Sequence, residues 1–206
     1  MMRLSVVACA AVLYLGLPGI AQAQQPDLYF QLGAVWAAPL LQDNIAGQEI
    51  TTQQSIAPMV RIGADLPVAP RVGVGLEATV AWGGYSASAG GSSTDLGNLT
   101  TLSFLANLNG PVVQRLRWRV GIGMIGTIPS EDAGIFLQGG SWNVLFGAGL
   151  DYTVAFTSAF DLMIGARADT HSLTPGQTQL VGFSGTQWVP QVSLGVGLLF
   201  RKAAKT

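Results

Sequence analysis

The single histidine, His171, stands in the run Asp169-Thr170-His171-Ser172, where a carboxylate, an imidazole and a hydroxyl are close enough in sequence to suggest a nucleophile and its base. In an extended strand, adjacent side chains point to opposite faces, so His171 and Ser172 converge only if they lie in a loop. The plainer reading is a lone, solvent-facing histidine at the outer end of a strand. The single cysteine, Cys9, falls in a segment expected to be removed, which leaves no disulfide, thiolate nucleophile or cysteine-based metal site. No His, Cys and carboxylate set has metal-ligand spacing. Gly121-x-Gly123-x-x-Gly126 matches a dinucleotide fingerprint but ends a strand with no helix after it. The expectation is a chain with no catalytic residue, no metal and no cofactor. What remains is a set of charged side chains on one alternation face: Arg61, Asp65, Glu77, Arg117, Arg119, Asp151, Asp161, Arg167 and Asp169. The chemistry open to four cations and five anions in a confined space is mutual pairing. Near balance favours a salt-bridged filling over a charge-selective path.

These charges need a scaffold, and composition narrows it. The chain has 206 residues, 49% hydrophobic and only 10% charged, with mean hydropathy +0.42, whereas roughly a quarter of an ordinary soluble domain is charged. Ten Lys/Arg against eleven Asp/Glu give no concentrated basic surface, which argues against a nucleic-acid partner. Met1 to Arg3 form a positive start, Leu4 to Leu17 an apolar stretch, and Ala21-Gln22-Ala23 a small-x-small cleavage site. Residues 1–23 therefore read as a secretory signal peptide. Its about 14 apolar residues fall short of the roughly 20 of a spanning helix, and Cys9 follows Arg3 too closely for a lipoprotein signal.

Beyond residue 23 the pattern is period 2 almost throughout, and no 3.6-residue period is evident. Eight apolar alternations run over 28–36, 56–66, 72–82, 100–108, 116–124, 142–152, 160–168 and 188–200. Each is about the 9 to 11 residues that cross a bilayer when tilted. The opposite face carries the nine charges together with Gln31, Asn107, Ser193 and many glycines. Eight glycines (73, 75, 121, 123, 147, 149, 195, 197) would make a poor hydrated exterior but suit the inside of a narrow barrel, which disfavours a soluble, secreted barrel. Trp36, Trp82, Trp118, Trp142 and Trp188 all lie on the apolar face near strand ends, as do Tyr152, Phe160 and Phe200, matching a membrane-interface girdle. The connections alternate between short (67–71, 110–114, 153–158) and long (37–54, 83–98, 126–140, 170–186), as periplasmic turns and extracellular loops do. The fold class is all-β: an eight-stranded antiparallel up-and-down transmembrane barrel over residues 24–200, with a short periplasmic tail at 201–206. Pro58 and Pro190 require a bulge or a late start to pairing near the outer rim.

Ser193-x-Gly195-x-x-Leu198-x-Phe200 resembles the C-terminal assembly signal of bacterial outer-membrane proteins. From about Gln25 to Phe200 the chain resembles the small barrels typified by the OmpA transmembrane domain, OmpX and OmpW. That resemblance implies export, recognition of the last strand by the barrel-assembly machinery, and a monomer in the outer membrane of a Gram-negative bacterium, in contact with lipid and lipopolysaccharide. It implies a structural or surface-interaction role carried by the outer loops. An alternative is an OmpW-like conduit for small hydrophobic solutes, for which inward Leu105, Ile125, Leu145, Met163, Val189 and Leu199 supply some apolar lining. A less favoured alternative is lipid A chemistry. Two small barrels that modify lipid A carry an outer-rim His and Ser, and the deacylase spaces them to share a face, whereas His171 and Ser172 are adjacent.

Overall fold

The computed structural model describes residues 26–45, 47–136, 139–157, 159–173 and 186–200. The signal segment 1–23, most of the fourth outer connection and the tail 201–206 lie outside the described residues. Ten strands follow in chain order: β1 (Asp27–Ala37), β2 (Leu41–Ile45), β3 (Gln48–Gln54), β4 (Ala57–Ala69), β5 (Val72–Ala89), β6 (Ser92–Val113), β7 (Leu116–Pro129), β8 (Ser141–Ala155), β9 (Phe160–Leu173) and β10 (Gln187–Phe200). Eight of them, β1 and β4 to β10, pair antiparallel around a closed ring, and β2 and β3 extend it alongside β5.

Closure is made between the first and last strands, in unbroken register from Leu28 opposite Phe200 to Ala37 opposite Gln191. The physical demand for closure comes from the outer surface. Leu28, Leu32, Ile62, Leu76, Ile122, Val144, Ile164, Leu194 and Val196 are all exposed, Leu76 at 68%, while inward Leu145 is fully buried. Such an apolar band is stable against lipid rather than water, and in lipid each unpaired N–H or C=O of an open edge would cost several kcal/mol. The apolar alternation thus points outward, and the molecule is a transmembrane β-barrel.

Two expected outer loops are strands instead. In 83–98, β5 and β6 stay paired beyond the apolar band with one register shift between Gly84 and Ser86, and the turn at Gly90-Gly91 has φ of 56° and 84° at its two residues. Positive φ at both central positions is the geometry of a two-residue hairpin whose twist matches its strands. Ser, Thr, Ala and Gly make 83–98 look like a loop by composition, but ladder bonds are made by backbone, and above the membrane nothing requires an apolar face. In 37–54, β2 and β3 form a hairpin that continues on β5 where β4 leaves off, from Gln54 opposite Tyr85 to Ile50 opposite Ala89. The changeover is pinned at Ser55, whose N–H donates to the Gly84 carbonyl and whose hydroxyl accepts from the Gly84 N–H, both at 2.9 Å.

The two prolines sit where a missing donor is tolerated. Pro58 precedes the β4–β5 ladder, which begins at Met59. The Pro190 carbonyl accepts from Ala38 N–H at 2.9 Å, just past the end of β1, so its donor-less nitrogen also faces the point where that neighbour departs.

Candidate functional site

Inward positions on successive strands place the charged side chains at related heights inside a barrel only wide enough for side chains to fill. Six of the nine form one continuous chain of alternating sign. Arg61 Nε lies 3.2 Å from Glu77 Oε1, Glu77 Oε2 accepts from Arg167 Nη2 at 3.1 Å, and Arg167 Nη1 donates to Asp151 Oδ1 at 2.9 Å. Asp151 Oδ2 then accepts from Arg119 Nε at 2.6 Å, and Arg119 reaches Asp65 with both terminal nitrogens at 2.6 Å. All six are buried. A bidentate Arg–carboxylate contact fixes geometry as well as charge.

The other three charges are placed differently. Arg117 stands at the periplasmic end, where its Nη2 donates to Asn109 Oδ1 at 2.6 Å and Asn109 Nδ2 in turn donates to Asp65 Oδ1 at 3.0 Å. Its other terminal nitrogen is 4.0 Å from Asp27 in a half-exposed pair. Asp161 is buried near the start of β9, opposite Leu199. Asp169 lies opposite Gln191 and lines two small interior cavities beside Glu77, each about 10 Å³. That is about the room of a single water, so neither cavity has room for a solute.

Neutral groups missing from the list of charges complete the network. Tyr29 OH donates to Glu77 Oε2 at 2.7 Å, and the Tyr29 ring lies 4.6 Å from the Arg119 guanidinium carbon in a cation–π contact. Arg61 Nε also donates to Thr79 Oγ1 (3.2 Å) and its terminal nitrogens donate to Gln31 Oε1 (3.2 Å) and Ser193 Oγ (2.7 Å), while Asn107 Oδ1 accepts from Arg119 at 3.1 Å. Parity with Gln31 was the available signal for Tyr29; its aromatic ring hides it among lipid-facing residues of the same type. Tyr29→Phe keeps the ring under Arg119 but removes one charge-assisted hydrogen bond. We expect a loss of about 1.5–3 kcal/mol, read as a lower urea midpoint of the barrel in lipid vesicles. An unchanged midpoint would mean that the two arginines alone satisfy Glu77.

His171 is not solvent-facing. It is 2% exposed and points inward opposite Leu145 and Val189, with Nδ1 at 3.3 Å from the Ser172 carbonyl oxygen. The expectation of an exposed histidine failed because β9 continues to Leu173 where a loop from 170 was expected, so strand parity governs residue 171. The same parity puts Ser172 on the outward side with its pair-mate Trp188, and the two side chains do not converge.

The outer part of the lumen holds an apolar cluster, with buried Thr52, Gln54 and His171 beside it. The third outer connection folds inward as a single 3-10 turn, Gly134–Phe136, burying Ile135 and Phe136 against Tyr85, Leu99, Leu173 and Val189. A surface loop was expected there; the adjacent large apolar residues Ile135-Phe136-Leu137 in an otherwise polar stretch were the signal in the sequence.

On the outside, Trp36, Trp82, Trp142 and Trp188 are exposed toward the outer rim, with Trp142 stacked on Phe104 and Trp188 packed on Phe146. Trp118 is half-buried at the periplasmic end of β7, near the level where Tyr152 and Phe200 are exposed and Phe160 packs between Phe156 and Phe200. Trp82 is not near a strand end, because β5 runs seven residues past it to Ala89. The tryptophans track the edge of the apolar band rather than the end of the hydrogen-bond ladder. Ser193, Gly195, Leu198 and Phe200 all lie on β10, the closing strand, with Ser193 turned inward onto Arg61 and Phe200 outward.

A closed eight-stranded transmembrane barrel with an ion-paired lumen defines the class: the chain has the fold of the small outer-membrane barrels of Gram-negative bacteria. Neisserial surface protein A superposes with a TM-score of 0.59 at 11% identity, over 86% of this chain and 97% of that one. OprG of Pseudomonas aeruginosa gives 0.52 at 16%, over 88% and 98%. AlkL, an outer-membrane protein determined in lipid bilayers, gives 0.51 at 14%, over 92% and 97%. At these identities the likeness is one of fold. No protein-family model matches the sequence, and no curated protein matches it.

Proposed function

We propose that this protein is a non-enzymatic, monomeric outer-membrane barrel, exported behind residues 1–23, whose role is structural or surface-interacting. The observation that carries this reading is the buried chain from Arg61 to Asp65, which occupies the lumen with paired charge instead of leaving a path through it. The tall β5–β6 hairpin and the β2–β3 hairpin beside it supply an outer surface for contacts. The two aromatic levels suit anchoring at the headgroups of lipid and lipopolysaccharide. The motif on β10 suits recognition by the barrel-assembly machinery. The separation of His171 and Ser172 onto opposite faces supports the non-enzymatic reading over lipid A chemistry.

The test joins fractionation, heat-modifiability and conductance. We expect the mature chain in the outer membrane as a detergent-resistant band that shifts on boiling, and no discrete current steps in a planar bilayer. Regular single-channel steps would replace this reading with a conduit, and a changed lipid A mass on expression would replace it with an enzyme.

A further inference from the structure

The outside of β4 to β7 is not a uniform apolar wall. At one level the four strands present Ala64, Leu76, Ala106 and Ile122 in register, so short side chains alternate with long ones and the surface sinks between them. Two apolar grooves result, of about 690 and 720 Å³, both lined by Ala64 and Ala106. Ligand-sized clefts run to roughly 300–1,000 Å³. The second groove reaches down to Leu66, Val74, Leu108 and Val120. One outward step below Leu108 and Val120, Gly110 pairs with Trp118 at the periplasmic end. The turns that join these same strands carry charge: Arg71 lies between β4 and β5 and Arg115 between β6 and β7, both exposed. Neither side chain has an ion-pair partner among the described residues, whereas Arg117 is held by Asn109 and Asp27. Trp118 lies against Gly110, where an added Cβ would stand 3.0 Å from Trp118 Nε1 and would overlap the Arg71 carbonyl oxygen, so an indole N–H sits beside the Arg71 turn. At the opposite end the described outer connections carry Asp43, Glu49, Asp95, Glu131 and Asp132 and no Lys or Arg.

We propose that this face of the barrel holds one diacyl phospholipid of net negative charge, with its acyl chains in the two grooves and its phosphate on Arg71 and Arg115. The lipid belongs to the inner leaflet, an assignment that rests on the outer-membrane reading above. The grooves alone do not choose among lipids, because lipid tails are as apolar as the wall and no hydrophobic gain separates one from another. Selection falls to the headgroup. A guanidinium presents paired donors to phosphate oxygens, and Trp118 adds a neutral donor at the headgroup level. A zwitterionic lipid brings its own ammonium against the same two cations and loses part of that attraction.

The experiment places the full mature chain in nanodiscs of equal parts phosphatidylglycerol and phosphatidylethanolamine with identical acyl chains, and counts by native mass spectrometry the lipids that stay bound. We expect one phosphatidylglycerol to be retained in preference to phosphatidylethanolamine. The preference should fall about fivefold in Arg71→Gln and about fivefold in Arg115→Gln, and vanish when both are changed. Both residues lie in exposed turns, so these variants should keep the heat-modifiable band. Ala106→Leu, an apolar change on the lipid-facing surface, fills both grooves and should lower the amount of lipid retained. Glycerol phosphate added in solution should not displace the lipid. Equal retention of the two lipids by the folded, unaltered protein overturns this inference and leaves the barrel reading standing, and so does retention that Ala106→Leu does not change. Displacement by glycerol phosphate also overturns it, and would make the arginines a site for soluble or peptidoglycan-borne anions. An unaltered chain with no heat-modifiable band would overturn both readings.

Discussion

Arg119→Ala is expected to destabilise the barrel by about 3–5 kcal/mol, the cost of leaving buried carboxylates without their partner. Arg119 is the most connected cation in the lumen: it holds Asp65 through both terminal nitrogens and Asp151 through Nε, all at 2.6 Å. Asp151 keeps Arg167 in the variant, and Asp65 keeps only the Asn109 amide among the contacts described. The measurement is urea unfolding in lipid vesicles. Pairing Arg119→Met with Asp65→Asn restores balance between Arg61, Arg167, Glu77 and Asp151, and most of the lost stability should return. A loss below about 1 kcal/mol in the single variant would show that water reaches the carboxylates, contrary to a dry, closed lumen.

Gly197→Ala is expected to abolish the closed barrel, seen as loss of the heat-modifiable band. Gly197 pairs with Gln31 across the β1–β10 seam, and a Cβ there would overlap the Phe30 carbonyl oxygen and approach the Gln31 Cα within 2.6 Å. The obstacle is the neighbouring backbone, so no rotamer relieves it. The strands must part at the junction that closes the ring, and the ladder bonds lost there are not replaced by water within the membrane. Gly195→Ala, two residues away on the same face, meets Met59 Cε, the far end of a flexible side chain, at 2.9 Å, and Gln31 Cβ at 3.3 Å, which a shift of a few tenths of an ångström relieves. It should fold and keep its band. If both variants behave alike, the seam is more compliant than its close backbone approach indicates.

The contrast between these glycines marks a boundary of sequence reading. Alternation assigns both to the inner face, which is where they lie, but it does not distinguish one facing a partner's backbone from one facing a methionine. That depends on strand stagger and on how each strand coils around the ring, which are properties of the closed sheet. The outer hairpins illustrate the same limit. Period-2 hydrophobicity exists only where one face meets lipid, so β5 and β6 were legible as far as Trp82 and Thr100 and illegible above, although their ladder continues to the Gly90-Gly91 turn.

The sequence by itself determined the number of strands in the ring, the face presented by residues within the eight apolar alternations, the outward direction of the apolar band and the set of charges inside. All of these follow from local alternation and from the cost of placing charge or an open edge against lipid. Only the tertiary structure decided who pairs with whom. Arg167 touches Glu77 across 90 residues, Arg61 touches Ser193 across 132, and Ile135 bonds to Tyr85 across 50. Partner choice in the lumen depends on the relative heights of strands far apart in the chain, fixed by the register and shear of the whole barrel. Because the register of every ladder enters those heights together, no local stretch of sequence contains them.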